Sequence, residues 1–164
     1  MENYKRTKAG KFMYNLTMKC GKWLDEHAIA YWFLLVSWGF IECLAAFFVM
    51  IFLLITGHLP HKNHRGIYFF IGNNWGGFSL GFIQVIANNM GDDWTNHSIC
   101  HECGHSYQVC LLGPLWLFIV AIPSQIRWSI NYYNNKHHIP NKPYDAAWFE
   151  GSATDLGEEV CNHH

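Results

Sequence analysis

This sequence is poor in charged residues. Charged residues make up 14% of its 164 residues, whereas an average soluble domain carries roughly a quarter. Aromatic residues reach 17%, with eight Trp and twelve Phe. A chain so poor in charge and so rich in large aromatic side chains is not typical of a soluble domain. The composition favours contact with a lipid bilayer.

Cysteine is present, but the pattern of a four-thiolate zinc site is missing. Cys100 and Cys103 form one C-x-x-C pair, and no second pair exists to complete such a site. A small disulfide scaffold is also excluded, because the chain is too long and Cys43 lies inside an apolar run. We interpret most of the six cysteines as small buried hydrophobic residues. Internal repeats and low-complexity linkers are missing too, so the length suits one compact domain with an anchor.

Residues 28–57 form an apolar run in which Glu42 is the only charged residue. Since about 20 helical residues cross a bilayer core, we predict one tilted transmembrane helix here. No signal-peptide cleavage site follows it. Glu42 has two interpretations. It is either a functional carboxylate, as in a small transport or toxin-type membrane protein, or a protonated group that is hydrogen-bonded within the protein or to a partner helix.

The basic N-terminal segment, residues 1–27, holds six of the eleven Lys and Arg of the chain. Such a cluster can bind nucleic acid, but before a long apolar run it more often marks the cytoplasmic flank of a membrane span. We therefore expect no nucleic acid partner and a cytoplasmic N-terminus. Only Lys62 and Arg65 closely follow the run. Crossing once would place the remaining domain, residues 58–164, on the extracytoplasmic side.

The domain at 58–164 is predicted to be α+β. Two runs rich in aromatic and β-branched residues, Ile67–Ile71 and Phe78–Ala87, are separated by an Asn/Gly cluster at 72–77. This pattern is typical of a β-hairpin or of two adjacent strands. An extended substrate commonly pairs with a sheet edge beside a metal, and 78–87 is the candidate strand.

Helices are expected after these strands. The first should begin near residue 96 and continue into an apolar segment at 110–126, where Gly113-Pro114 and then Pro123 should interrupt it. A final helix should hold residues 146–160. The apolar segment is too short to cross a bilayer comfortably.

The first of these helices carries an H-E-x-x-H motif, His101-Glu102-Cys103-Gly104-His105. Positions i and i+4 share one helix face, so both imidazoles can reach one zinc ion. Glu102 falls beside them, where a water polarised by zinc would lie, and its carboxylate can act as the general base. Two ordinary surface histidines are the alternative interpretation.

A catalytic zinc needs a third protein ligand and one open position. Glu150 is the best candidate, because it stands in helical context in Trp148-Phe149-Glu150-Gly151. His137 and His138 lie in a polar loop, and Glu158 and Glu159 lie near the C-terminal tail. Side chains in such places more often face solvent.

Three blocks of the sequence resemble a large family of uncharacterised bacterial membrane proteins. They are NNWGGFSLGF, HECGHSYQVCLLGPLWLFIVAIPSQIRW and YDAAWFEGSATDLG. Members of that family carry W-G-G-x-S/N-L-G, H-E-x-G-H-x-x-Q, G-P-x-x-x-F-x-x-x-I-P-S-x-I-R and W-F-E-G-x-A-T. The resemblance covers roughly residues 66–157, and it implies a zincin-like, gluzincin-type zinc metallopeptidase of the bacterial plasma membrane. The motif positions in this chain are His101, Glu102, His105, Gln108, Gly113, Pro114, Pro123, Arg127 and Glu150.

One departure from better-known gluzincins concerns the partner of a ligand histidine. They place an Asp four residues after the ligand Glu, whereas this chain has Thr154 there and Asp155 next. The group that fixes the histidine tautomer could be Thr154, Asp155 or a backbone carbonyl. Gln108 is a further candidate for supporting the site.

The three ligands must meet at one point, which restricts how the chain contacts the membrane. If segment 110–126 crossed the bilayer, Glu150 would lie on the opposite side from His101 and His105. The segment should therefore be re-entrant, interfacial or packed within the protein, with the site at the membrane surface. A peptide or another membrane protein is the expected substrate, and the sequence does not indicate an oligomeric state. The alternative is a non-catalytic membrane protein with a structural zinc, closed by Cys103 or Cys100 as a fourth ligand.

Overall fold

The computed structural model describes residues 6–72 and 76–162. The α+β prediction is confirmed, since helices and one small sheet make up the described chain. Residues 1–5 of the basic segment and residues 73–75 of the Asn/Gly cluster lie outside it. The helices are α1 (Lys8–Glu26), α2 (Ala28–Ser37), α3 (Phe40–Ile55), α4 (Asp92–Leu112), α5 (Ile122–Lys136) and α6 (Trp148–Asn162), and the strands are β1 (Pro60–Asn63), β2 (Gly66–Ile71), β3 (Gly77–Leu80) and β4 (Ile83–Ala87).

Helices α4 and α6 form the centre of the fold, and glycine lets them approach closely. A Cβ on Gly104 of α4 would lie 2.0 Å from the carbonyl oxygen of Ala153, and one on Gly157 of α6 would lie 1.9 Å from that of Cys100. Any larger residue would force the helices apart. This contact turns the H-E-x-x-H face of α4 towards the first turn of α6.

The sheet has the strand order β1-β2-β4-β3. The predicted strand 78–87 is divided by a turn at Gly81, whose φ of +51° favours glycine. The hairpin is therefore β3–β4, and β2 pairs with β4 in parallel. Of the two predicted forms, adjacent strands are confirmed, since β2 and β4 are neighbours in the sheet. A hairpin across the Asn/Gly cluster is wrong, because the turn that reverses the chain lies within the second aromatic run. Strand β3 occupies one edge of the sheet.

The apolar run 28–57 is two helices rather than one. Helices α2 and α3 meet at an angle of 85°, so the prediction of a single tilted helix is wrong. The break lies at Gly39, where a Cβ would lie 2.6 Å from Val109 of α4 and 2.7 Å from the carbonyl oxygen of Leu35. Among the described residues no single helix is long and apolar enough to cross a membrane, but α2 with α3, and α4 with α5, qualify as bent pairs by length and composition alone.

The basic helix α1 packs on helix α6 of the domain at 58–164. Lys22 of α1 forms an ion pair with Glu159 of α6 at 2.7 Å, and the hydroxyl of Tyr14 donates a hydrogen bond to Asp155. A Cβ on Gly21 would lie 2.2 Å from a methyl group of Leu156. Helix α1 and the domain at 58–164, which a single membrane crossing would separate, are therefore in direct contact.

Segment 110–126 turns sharply, as its Gly-Pro pair predicts. Helix α4 ends at Leu112, a 3₁₀ turn follows at Gly113–Leu115, and a π-helical turn at Leu117–Ala121 leads into α5. The two helical arms meet at 113°. Pro123 does not interrupt α5 but lies in its first turn, where a helix needs no N–H donor.

Candidate metal centre

The structure brings together the three residues predicted as metal ligands. His101 and His105 lie on consecutive turns of α4, and Glu150 lies in the first turn of α6. Glu150 Oε2 is 3.2 Å from His101 Nε2 and 3.5 Å from His105 Nε2. Ligands at zinc-binding distance around a tetrahedral ion are about 3.4 Å apart, so this spacing fits. The group could therefore hold a metal ion.

The chemistry of Glu150 also fits a cation. Its side chain is fully buried, and its Oε2 atom faces the Nε2 atoms of both imidazoles. Burial alone would raise the pKa of Glu150, but the two imidazoles outweigh it and hold that pKa well below its usual range. Glu150 in turn raises the pKa of His105 to about 9, against the desolvation that lowers it. A buried carboxylate needs a partner of positive charge, and a divalent ion can supply it in place of the imidazole protons.

Thr154 and Asp145 orient the first histidine. The Thr154 hydroxyl donates to Asp145 Oδ1 at 3.0 Å and lies 2.8 Å from His101 Nδ1. Because that hydroxyl has one proton, His101 Nδ1 must donate, which leaves the Nε2 lone pair directed at the ligand cluster. Asp155 does not take this place. It is one residue further along α6, turned to another face of the helix, where it contacts Tyr14.

Gln108 orients the second histidine. Its side-chain oxygen lies 2.8 Å from His105 Nδ1, and an amide oxygen can only accept, so the ring nitrogen donates. The amide nitrogen donates to the carbonyl oxygen of Phe149 at 2.6 Å and to Ser152 at 3.0 Å. Gln108 therefore fixes the imidazole and also joins α4 to the turn of α6 that carries Glu150.

Glu102 lies beside the ligands and is not one of them. Its side chain is buried between α4 and strand β3, where a Cβ on Gly77 would lie 3.2 Å from Glu102 Oε1. Desolvation raises the pKa of Glu102, and the imidazoles of His101 and His105 lower it only in part. A carboxylate whose pKa is raised towards neutrality is suited to accept and then return a proton.

Tyr144 was not predicted as a site residue from the sequence. It lines the cavities on both sides of the group of His101, His105 and Glu150. Its hydroxyl lies 3.1 Å from Ser124 of α5, and Arg127 of α5 donates to its carbonyl oxygen at 3.0 Å. Burial raises the pKa of Tyr144, so the phenol stays protonated and can donate a hydrogen bond. The sequence feature that could have indicated Tyr144 is Arg127 of the I-P-S-x-I-R block, a charged residue for which the sequence suggested no partner.

A cleft extends on either side of the cluster. One cavity of about 330 Å³ is walled by β3 and by Trp116, Val120 and Ala121, and another of about 510 Å³ by Trp94, Tyr132 and neighbouring residues. Both include His101, Glu102 and Tyr144. Within the described chain neither is lined by Lys or Arg. The cleft therefore lies on both sides of the candidate ligand group, with apolar side chains forming much of its wall.

The other candidate ligands lie elsewhere. Cys103 is fully buried in the apolar core, and neither it nor Cys100 joins the ligand group found among the described residues. Glu158 pairs with His97 at 3.0 Å, Glu159 pairs with Lys22, and His137 and His138 are exposed after α5. The geometry thus offers three protein ligands and leaves one side facing the cleft.

Comparison of the chain with family models, with curated proteins and with solved structures finds no match.

Proposed function

We propose that this chain is a membrane-anchored zinc metallopeptidase. The observation that carries the proposal is the group of His101, His105 and Glu150, buried at the floor of a cleft, with Glu102 beside it. Two imidazoles and one carboxylate with an open fourth position are the ligand set of catalytic zinc sites. The nitrogen and oxygen donors favour zinc over metals that prefer carboxylates alone.

Each residue of the site has a role in hydrolysis of a peptide bond. When bound, zinc supplies a positive charge that polarises a water molecule and the scissile carbonyl group. Glu102 accepts the proton of the attacking water and then donates it to the leaving amine. Tyr144 donates a hydrogen bond to the carbonyl oxygen as negative charge develops there. Thr154 and Gln108 keep both imidazoles in the ligating tautomer.

Strand β3 supports binding of an extended substrate. It is one of the two edge strands of the described sheet and lines the cavity beside His105. A peptide can add to such an edge through backbone hydrogen bonds. The apolar lining of the cleft favours a peptide or a membrane-protein segment with uncharged side chains around the scissile bond.

The anchoring part of the proposal is supported by exposed apolar side chains on α2, α3 and the turn before α5. Phe33, Phe48 and Phe52 are exposed by 62–68%, and Phe118 by 64%. A soluble monomer rarely exposes so large an apolar surface. We assign this surface to the lipid of a bacterial plasma membrane.

Glu102→Gln tests the proposed chemistry. The amide cannot accept a proton, so the variant should bind one zinc per chain with unchanged affinity and lose hydrolysis of an apolar quenched-fluorescence peptide. Glu158→Gln is the matched control, since it changes a glutamate outside the ligand group, and it should retain both properties. Loss of zinc from Glu102→Gln would make Glu102 a ligand. Unchanged hydrolysis in that variant would contradict the role of general base.

A further inference from the structure

The two ends of the apolar run 28–57 meet. Asp25 precedes α2, whereas His64 and Arg65 follow α3 in the turn between β1 and β2. His64 Nε2 donates to Asp25 Oδ1 at 2.6 Å, and the hydroxyl of Tyr31 donates to the carbonyl oxygen of Arg65 at 3.2 Å. A run that crossed a bilayer core of about 30 Å would separate these residues by at least that distance.

Residues of the domain at 58–164 also hold the bend between α2 and α3. Trp38 lies against Gly113 of the 3₁₀ turn, where a Cβ would be 2.4 Å from the indole ring. On the next residue, Gly39 packs on Val109 of α4. The bend therefore lies beside the C-terminal end of α4. These neighbouring elements hold α2 and α3 at their angle of 85°.

Charge is distributed along the chain in a way that fits one membrane leaflet. No Lys or Arg occurs in 28–57 or in 110–126. Helix α1 carries four lysines on one exposed face, because their spacing follows the helical period. They are Lys8, Lys11, Lys19 and Lys22. Exposed Phe12 and Trp23 flank this basic face, and the combination suits a helix that lies on anionic headgroups.

We propose that this chain enters one leaflet of the membrane and returns to the side from which it came. Helices α2 and α3 and the turn at 113–121 lie among the acyl chains, while α1 and the metal centre remain together at the headgroups. The basic face of α1 assigns that side to the cytoplasm, since Lys and Arg favour it. The proposal rests on the membrane anchoring proposed above and is independent of the peptidase chemistry.

This topology revises the extracytoplasmic location expected from a single crossing. It also sets the route of the substrate. One side of the turn at 113–121 forms a wall of the cleft, through Trp116, Val120 and Ala121. The other side of this turn, which includes Phe118, faces outward. A substrate segment would reach the metal from the plane of the membrane on the cytoplasmic side.

The test uses the unmutated chain and a membrane-impermeant, amine-acylating reagent. Intact cells and inverted membrane vesicles are treated, and mass spectrometry measures acylation of Lys11 in α1 and of Lys142 in the loop before α6. Both side chains are exposed. We expect both lysines to be labelled in inverted vesicles and neither in intact cells. Labelling of one but not the other in intact cells would show a crossing and overturn the proposal, and labelling of both in intact cells would overturn the cytoplasmic assignment.

Membrane insertion is measured separately by washing the vesicles at alkaline pH. The chain should stay with the membranes, and its release would overturn the embedding of α2 and α3. The variant Phe48→Asp places a charge in the exposed face of α3 and should increase release by washing. Glu26→Asp, at the exposed end of α1, is a control that should not. Zinc content and hydrolysis are not read in either measurement, so a failure of the proposed peptidase activity would be distinguishable from a failure of this topology.

Discussion

Replacement of Thr154 by valine should weaken zinc binding without removing a ligand. Valine has the shape of threonine but cannot accept the proton of His101 Nδ1, which lies 2.8 Å from the Thr154 hydroxyl. It also leaves the carboxylate of Asp145 without the 3.0 Å hydrogen bond that Thr154 donates. Loss of such a supporting bond typically costs 10- to 100-fold in metal affinity. That range corresponds to about 1.4–2.8 kcal/mol.

The assay is competition for zinc against a chromophoric chelator in detergent, compared among three variants. Thr154→Val should raise the Kd for zinc about 10- to 100-fold, and Thr154→Ser, which keeps the hydroxyl, should stay within a few-fold of the wild type. Asp155→Asn changes the neighbouring residue that contacts Tyr14 instead, and it should leave the Kd unchanged. An unchanged Kd in Thr154→Val, or a larger loss in Asp155→Asn, would refute this account of how His101 is oriented.

Three further outcomes follow from the geometry. Tyr144→Phe should lower kcat with little change in zinc affinity, because it removes a hydrogen-bond donor and no ligand; equal loss of zinc would contradict this. Gly104→Ala should lower the Tm, since its Cβ would lie 2.0 Å from the carbonyl oxygen of Ala153, whereas the Cβ of the control Gly72→Ala would have no atom of the described residues within 4 Å. Burial raises the pKa of Asp25, but hydrogen bonds from Tyr107 and His64 outweigh it, so the net pKa lies below 3.8. The metal-free protein should therefore lose part of its free energy of unfolding as the pH falls through the folded pKa of Asp25, and Asp25→Asn should remove that part; an identical acid limb in both proteins would contradict it.

Local patterns predicted the centre of the candidate site well. The i, i+4 spacing of His101 and His105 follows from helix geometry alone, and Glu150 follows from the need for a third ligand in helical context. Thr154 was one of three candidates for orienting a histidine, and only the packing of α6 against α4 distinguishes it from Asp155. Thr154 and Asp155 are consecutive residues and face different sides of α6. The sequence does not specify which of these sides faces His101.

Contacts between distant segments were not predictable in the same way. Tyr144 reaches the cleft because Arg127 and Ser124 of α5 hold its loop. Hydrophobic periodicity along the sequence does not predict such a contact. Hydropathy predicted a membrane helix at 28–57 but could not show the 85° bend at Gly39. A single glycine is tolerated inside many helices, and here Val109 of α4 packs against it at the break.

The zinc content of Glu150→Ala shows whether His101, His105 and Glu150 together bind the metal. Purified wild-type chain, Glu150→Ala and the control Glu158→Ala would be loaded with zinc, dialysed, and measured by elemental mass spectrometry against protein concentration. We expect one zinc per chain in the wild type and in Glu158→Ala, and a large loss in Glu150→Ala. Because the Glu150 carboxylate lies within 3.5 Å of both imidazoles, stoichiometric zinc with unchanged affinity in Glu150→Ala would contradict the account.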